Sequence, residues 1–186
     1  MIRSHQIRKY WPLALVLTAL AFLQAKACLM DVLRIRDYLT IDDTFLYLQI
    51  ARNVALGKGP TFDGIHLTNG FQPLWLLAVV PLGWVFREPV TFLRATLFLC
   101  AILNLVTTWL LYRMGLRLAG RRLGVPLIVG WTWVVVGWQP MLLGMETSLY
   151  AMLFVAFLDR LLRPQIGRKG LGILGGLLLL CRVDAL

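Results

Sequence analysis

The sequence predicts an all-α integral membrane protein, with about five transmembrane helices and short juxtamembrane helices in a large first outer loop. Three observations carry that expectation. Of the 186 residues 59% are hydrophobic and only 15% charged, with a mean hydropathy of +0.75, more apolar surface than a soluble domain of this length can bury. Several apolar runs approach the 20 or so residues that cross a bilayer as a helix. The basic residues collect in clusters between those runs. A membrane barrel is excluded, because the runs lack the period-two alternation of barrel strands. The net charge of +10 then reads as topology; no face combining aromatic and basic residues favours nucleic acid.

The first span is expected from Trp11 to about Met30, and Arg3, Arg8 and Lys9 before it place the N-terminus in the cytoplasm. The rival is a signal peptide cleaved after "AKA" at 25–27. Lys26 beside the cut argues against cleavage, and later helices need a first one to pack on.

Residues 31–90 read as the outer loop. Asp31, Asp37, Asp42, Asp43 and Asp63 lie in it. Residues 44–56 have the pattern of a short helix, capped by Asp43 or Thr44 and ended by Gly57. "GKGPTFDG" and "LTNGFQP" are turn-rich. The apolar stretch 73–86 is short and contains Pro81, so it reads as an interfacial or re-entrant helix broken by that proline. If it does not cross, 91–112 runs inward and delivers Arg113, Arg117, Arg121 and Arg122 to the cytoplasm.

Residues 124–143 then return outward and "GMET" (144–147) is the outer turn. Residues 148–162 run inward, and Arg160, Arg163, Arg168 and Lys169 mark a cytoplasmic loop. The run from Gly170 heads outward and falls short of a full crossing at Leu186, which reads as the N-terminal piece of a longer protein. On this topology every acid but Asp159 is outside or at the outer rim. Acidic residues have weak topogenic force, so the segregation points to an acidic outward-facing site.

Four groups of residues are candidates. Asp42 and Asp43 are adjacent like charges, which can supply a base or hold a cation; a capping residue explains only one of them. Asp43, next to the expected helix start, is the better cap, which leaves Asp42 as the base. Glu146 sits at a predicted outer helix end far along the chain. Arg182 and Asp184 interrupt an apolar run, where ionisable groups are costly and read as functional, against mutual neutralisation as the bland alternative; Arg182 suits a lipid phosphate. Lys58, between glycines, is a weaker phosphate ligand. Cys28, Cys100 and Cys181 form no disulfide or metal pattern. The tryptophans read as interfacial residues and the glycines of "LGILGG" as a site of close helix packing. His5 and His66 are isolated.

"DDTFLYLQIARNVALGKGPTFDG", "LTNGFQPLW", "GMETSLYAML" and "LLLLCRVDAL", in that order, resemble the N-terminal half of GT-C-fold glycosyltransferases. The likeness is to polyprenyl-phosphate-sugar transferases, including arabinofuranosyl- and mannosyltransferase-like enzymes. The resemblance implies that residues 1–186 are the N-terminal part of a single GT-C transmembrane module, with a first span at 11–30, the outer loop at 31–90, and four further spans in 91–186, the last incomplete. It implies a catalytic acid at Asp42 or Asp43, an acid at Glu146, and an Arg-Pro-acid motif at Arg182, Val183 and Asp184, with Val183 in place of proline. Asn69 and Gln72 join Lys58, Glu146, Arg182 and Asp184 as expected substrate or phosphate ligands, Gln72 standing where relatives carry His, Lys or Asn.

The expected activity is transfer of a sugar from a polyprenyl-phosphate donor to a glycan, lipid or protein acceptor of the cell envelope. The expected place is the outer face of the cell (inner or plasma) membrane, by inverting displacement with an aspartate base. No cofactor is required; a divalent cation (Mg or Mn) on Asp42, Asp43 and Glu146 is compatible with the scheme. The fragment is expected to be inactive by itself. The rivals are a multi-span transporter or channel subunit, which an internal repeat would favour and none is found, and a non-catalytic membrane scaffold, which would tolerate loss of every outer acid.

Overall fold

The computed structural model describes residues 2–137, 142–163 and 168–182, with side chains from Tyr10 onward save Arg168. The described residues form eight helices in chain order: α1 (Ile2–Cys28), α2 (Val32–Tyr38), α3 (Asp42–Ala55), α4 (Pro73–Val85), α5 (Pro89–Ala119), α6 (Arg121–Gly137), α7 (Thr147–Leu161) and α8 (Arg168–Cys181). Among the described residues there is no strand, only an isolated antiparallel bridge between Thr61 and Leu67.

Two of these helices are long and apolar enough to cross a membrane, Tyr10–Cys28 within α1 and Pro89–Ala119. The expectation of about five such helices is not met within the described residues. Of the run 124–143, residues 124–137 are described as helix, within α6, and the chain from Leu142 to Glu146 is described as turn and bend. With 17 residues in α6 and 15 in α7, those helices reach only about 25 and 22 Å against a hydrocarbon core of roughly 30 Å.

Contacts at the helix ends order the bundle. The rings of Tyr10 and Tyr112 lie 6.2 Å apart, and Arg121 sits over Trp11 at 5.8 Å. At its other end α1 is held by Arg94, which donates to the Met30 carbonyl at 3.2 Å, so α1 and α5 are antiparallel. Helices α5 and α7 run the same way: Cys100 donates to the Met145 carbonyl at 3.8 Å, just before α7, and Arg117 donates to the carbonyl of Asp159 near its end. Helix α8 returns, since Cys181 donates to the Glu146 carbonyl at 3.9 Å. One end of the bundle therefore carries Arg113, Arg117, Arg121, Arg122, Arg160 and Arg163. The other carries α2, the start of α3, the 142–146 turn and Arg182.

Helix α4 is a continuous helix of 13 residues through Pro81, not one broken there. Proline removes one hydrogen bond, and burial of Trp75, Leu76, Val79, Val80 and Gly83 on one face holds the helix through it. Its end meets the ends of neighbours: a Cβ on Gly83 would lie 3.1 Å from Ala55 Cβ and 3.6 Å from Phe92 Cζ. The end of α4 thus packs where α3 ends and α5 begins, and with 13 residues the helix is about 20 Å long, shorter than a hydrocarbon core of roughly 30 Å. Glu88 caps α5, accepting from Val90 N–H at 2.9 Å and from Thr91 N–H and Oγ1 at 2.6 Å. The Thr91 hydroxyl first, and then the two backbone donors, hold the Glu88 carboxyl below its ordinary value.

The close helix approach is not at "LGILGG". A Cβ at Gly175 would meet only Phe157 at 4.0 Å, and one at Gly176 nothing within that distance. It lies between α5 and α6, where a Cβ on Gly115 would stand 2.5 Å from Gly124 Cα and 2.7 Å from its nitrogen. Backbone cannot yield as a side chain does. Gly115→Ala is expected to destabilise the fold by about 1–3 kcal/mol through overpacking, read as a lower unfolding temperature of the detergent-solubilised protein. An unchanged transition would show that α5 and α6 do not cross there.

Candidate functional site

Asp42 and Asp43 are the first two residues of α3, not residues preceding it. The N-cap is Ile41, which has no capping side chain, so neither aspartate caps the helix. Thr44 does that work: Ile41 N–H donates to Thr44 Oγ1 at 3.4 Å. Helix α3 starts early because two acids in a first turn suit the helix dipole and Thr44 supplies the return bond. Both carboxylates are left exposed. The basis for ranking Asp42 above Asp43 by capping is thereby removed.

Thr44, buried completely, also does something the sequence does not announce. Its hydroxyl donates to the carbonyl of Leu143, 99 residues along the chain. Gly144 follows with φ +73, and a Cβ there would lie 2.8 Å from Thr44 Cγ2. That contact seats "DDT" (42–44) on "GMET" (144–147). Glu146 is positioned as the N-cap of α7, with its carbonyl accepting from Tyr150 N–H at 2.8 Å. It is 4% exposed, so it is a group buried in protein rather than a boundary charge in the headgroups. The Cys181–Glu146 contact places the end of α8 against the same turn, and Arg182, exposed, comes next. Three sequence-distant candidates, Asp42–Asp43, Glu146 and Arg182, therefore share one end of the bundle. Val183 and Asp184 lie outside the described residues.

Lys58 is not with them. Helix α3 ends in a Schellman motif, with Lys58 N–H bonded to Asn53 O at 2.9 Å and Gly57 N–H to Val54 O at 3.0 Å, Gly57 at φ +78. Lys58 thus stands at the far end of a 14-residue helix, about 20 Å from Asp42. Its side chain lies over the Gly64 turn, which removes it as a phosphate ligand beside the acids. Asn69 is exposed in the turn before α4, and Gln72 is the N-cap of that helix. Asn53, which no sequence pattern marks, is 3% exposed and donates to Thr61 O at 2.9 Å and Phe62 O at 3.1 Å; it is a structural pin for the loop. His66 is not isolated, since its Nδ1 lies 2.6 Å from Asp63 Oδ2. That imidazole contact first, and then the His66 and Ile65 backbone N–H groups, hold the Asp63 carboxyl well below the usual carboxylate range. The side chain of His5 is outside the described ones.

The acid assigned to the basic end has a defined structural task. Asp159 is buried between Arg117, at 2.6 Å, and Arg163, with which it also forms an ion pair. The (i, i+4) spacing of Asp159 and Arg163 was readable as a helix-face pair; the third member, from α5, was not.

Among the described residues no three His, Cys, Asp or Glu side chains come together as a metal set. Asp42, Asp43 and Glu146 therefore do not form a three-carboxylate cation site in this arrangement. Comparison of the chain with protein-family models, with curated proteins and with solved structures finds no match.

Proposed function

We propose that this chain is the N-terminal part of a multi-pass membrane glycosyltransferase of the GT-C type, using a polyprenyl-phosphate sugar as donor. The observation that carries the reading is the seat of Thr44 on Leu143 and Gly144, which brings the two acid-bearing segments of the sequence resemblance to one end of the bundle. In this reading the apolar helices α6, α7 and α8 lie in the bilayer with α1 and α5. The acid-bearing end is the outer face, because the opposite end holds the arginine clusters. One exposed aspartate of α3 takes the proton of an acceptor hydroxyl. The oxygen attacks the anomeric carbon from the side opposite the phosphate, the carbon–phosphate-oxygen bond breaks, and the centre inverts. Arg182 holds the departing phosphate. Glu146, buried at the same end of the bundle as the N-cap of α7, positions the turn beneath the site.

The orientation has a direct test. In intact cells a membrane-impermeant thiol reagent is expected to label Asp42→Cys and spare Arg122→Cys, since the two residues lie at opposite ends of the bundle. The opposite pattern overturns the orientation and with it the outward-facing site. The activity is tested by offering the full-length protein a panel of polyprenyl-phosphate sugars and measuring transfer.

A further inference from the structure

A cavity of about 510 Å³ lies between α1, α2 and the end of α6, lined by Leu23, Gln24, Ala27, Arg34, Val135 and Val136 among others. We propose that it binds one anionic diacyl phospholipid as a resident lipid; the inference rests on the membrane reading above. Two observations point to a ligand. Gln24 is 2% exposed, yet neither Oε1 nor Nε2 has a hydrogen-bond partner, and a buried amide is ordinarily paired. Arg34, on α2 at the rim, is exposed and has no hydrogen bond or ion pair among the described residues.

Their placement selects the occupant. Gln24 is four residues before the end of α1 at Cys28, about 6 Å down the helix axis, while Arg34 lies beyond that end. A guanidinium at the rim takes a phosphate. An amide one turn deeper takes an ester carbonyl, and the leucine, alanine and valine walls take an acyl chain. A polyprenyl phosphate shares the headgroup and the apolar tail but has no carbonyl at the depth of Gln24.

The test uses the full chain in nanodiscs, with bound lipid counted by native mass spectrometry. Wild-type protein is expected to retain phosphatidylglycerol in preference to phosphatidylcholine. Arg34→Gln should lower that preference about fivefold, the effect of one basic residue at an anionic lipid surface. Gln24→Leu should lower retention of either lipid while raising the unfolding temperature of the delipidated protein, because it removes an unpaired buried amide. Equal retention of both lipids by the wild type overturns the proposal without recourse to any variant, as does unchanged retention by folded Arg34→Gln and Gln24→Leu. Inorganic phosphate that stabilises the delipidated wild type as much as phosphatidylglycerol would mean a free-anion site. A polyprenyl phosphate held as tightly as phosphatidylglycerol would overturn the diacyl assignment. Carbonate extraction reads the underlying assumption separately. A chain that stays in the membrane pellet but shows no headgroup preference defeats this inference alone, whereas release by carbonate defeats the membrane reading as well.

Discussion

Asp42→Asn in the full-length protein is expected, on the transferase reading proposed above, to lower turnover by about 100-fold or more, with donor binding and folding largely kept. Asparagine is isosteric, retains the first-turn position and loses only the charge and the ability to take a proton. Because both aspartates are exposed in the first turn of α3 and neither caps it, Asp43→Asn is not expected to unfold the protein either. The pair is thus separable by kinetics alone: the base is the residue whose amide variant loses turnover at unchanged donor affinity. Wild-type turnover in both variants would remove the catalytic role of this stretch. Thr44→Val serves as the companion variant. It leaves both carboxylates in place but deletes the bond to Leu143, and is expected to impair activity and stability together.

The second large effect is structural and lies at the other end. Asp159→Ala strips the counterion from Arg117 and Arg163, leaving two like charges facing each other where α5 meets α7. Breaking a buried pair in this way costs about 3–5 kcal/mol. The lower end of that range is expected here, because the two arginine side chains are 35% and 36% exposed while the aspartate is only 7% exposed, and water screens the orphaned charges. The measurement is equilibrium unfolding in detergent. Replacing all three groups at once, Asp159→Leu with Arg117→Met and Arg163→Met, should recover much of the loss. A single Asp159→Ala variant as stable as the wild type would show that the cluster is not formed in the folded protein. The residue is far from the acid-bearing end, so the intrinsic turnover of the folded fraction should not change.

Much of the local structure was available from residue order alone. Gly57 after an amphipathic run announced the end of α3, because only a residue tolerant of positive φ closes a Schellman motif without strain. The length of 73–86 announced a short helix. It did not announce that the helix survives Pro81, since its stability comes from the face that packs on α3 and α5. The start of α3 was misplaced by two residues for a similar reason. Capping preference favoured Asp43, whereas Thr44 is fixed from outside the helix by Leu143.

The candidate site divides the same way. Sequence alone determined the helical class, the apolar runs, the basic clusters and the identity of the acids, because these follow from hydropathy, charge and spacing along one chain. Only the tertiary structure decided that α3 sits on the Gly144 turn, that Lys58 is a helix length away, that Glu146 is buried, that Gly115 and not the "LGILGG" glycines lets helices touch, and that Asp159 is clamped from two helices. Each of those facts is a contact between residues distant in the chain. Such contacts depend on which helix faces meet and in which direction they run, and no local periodicity encodes that.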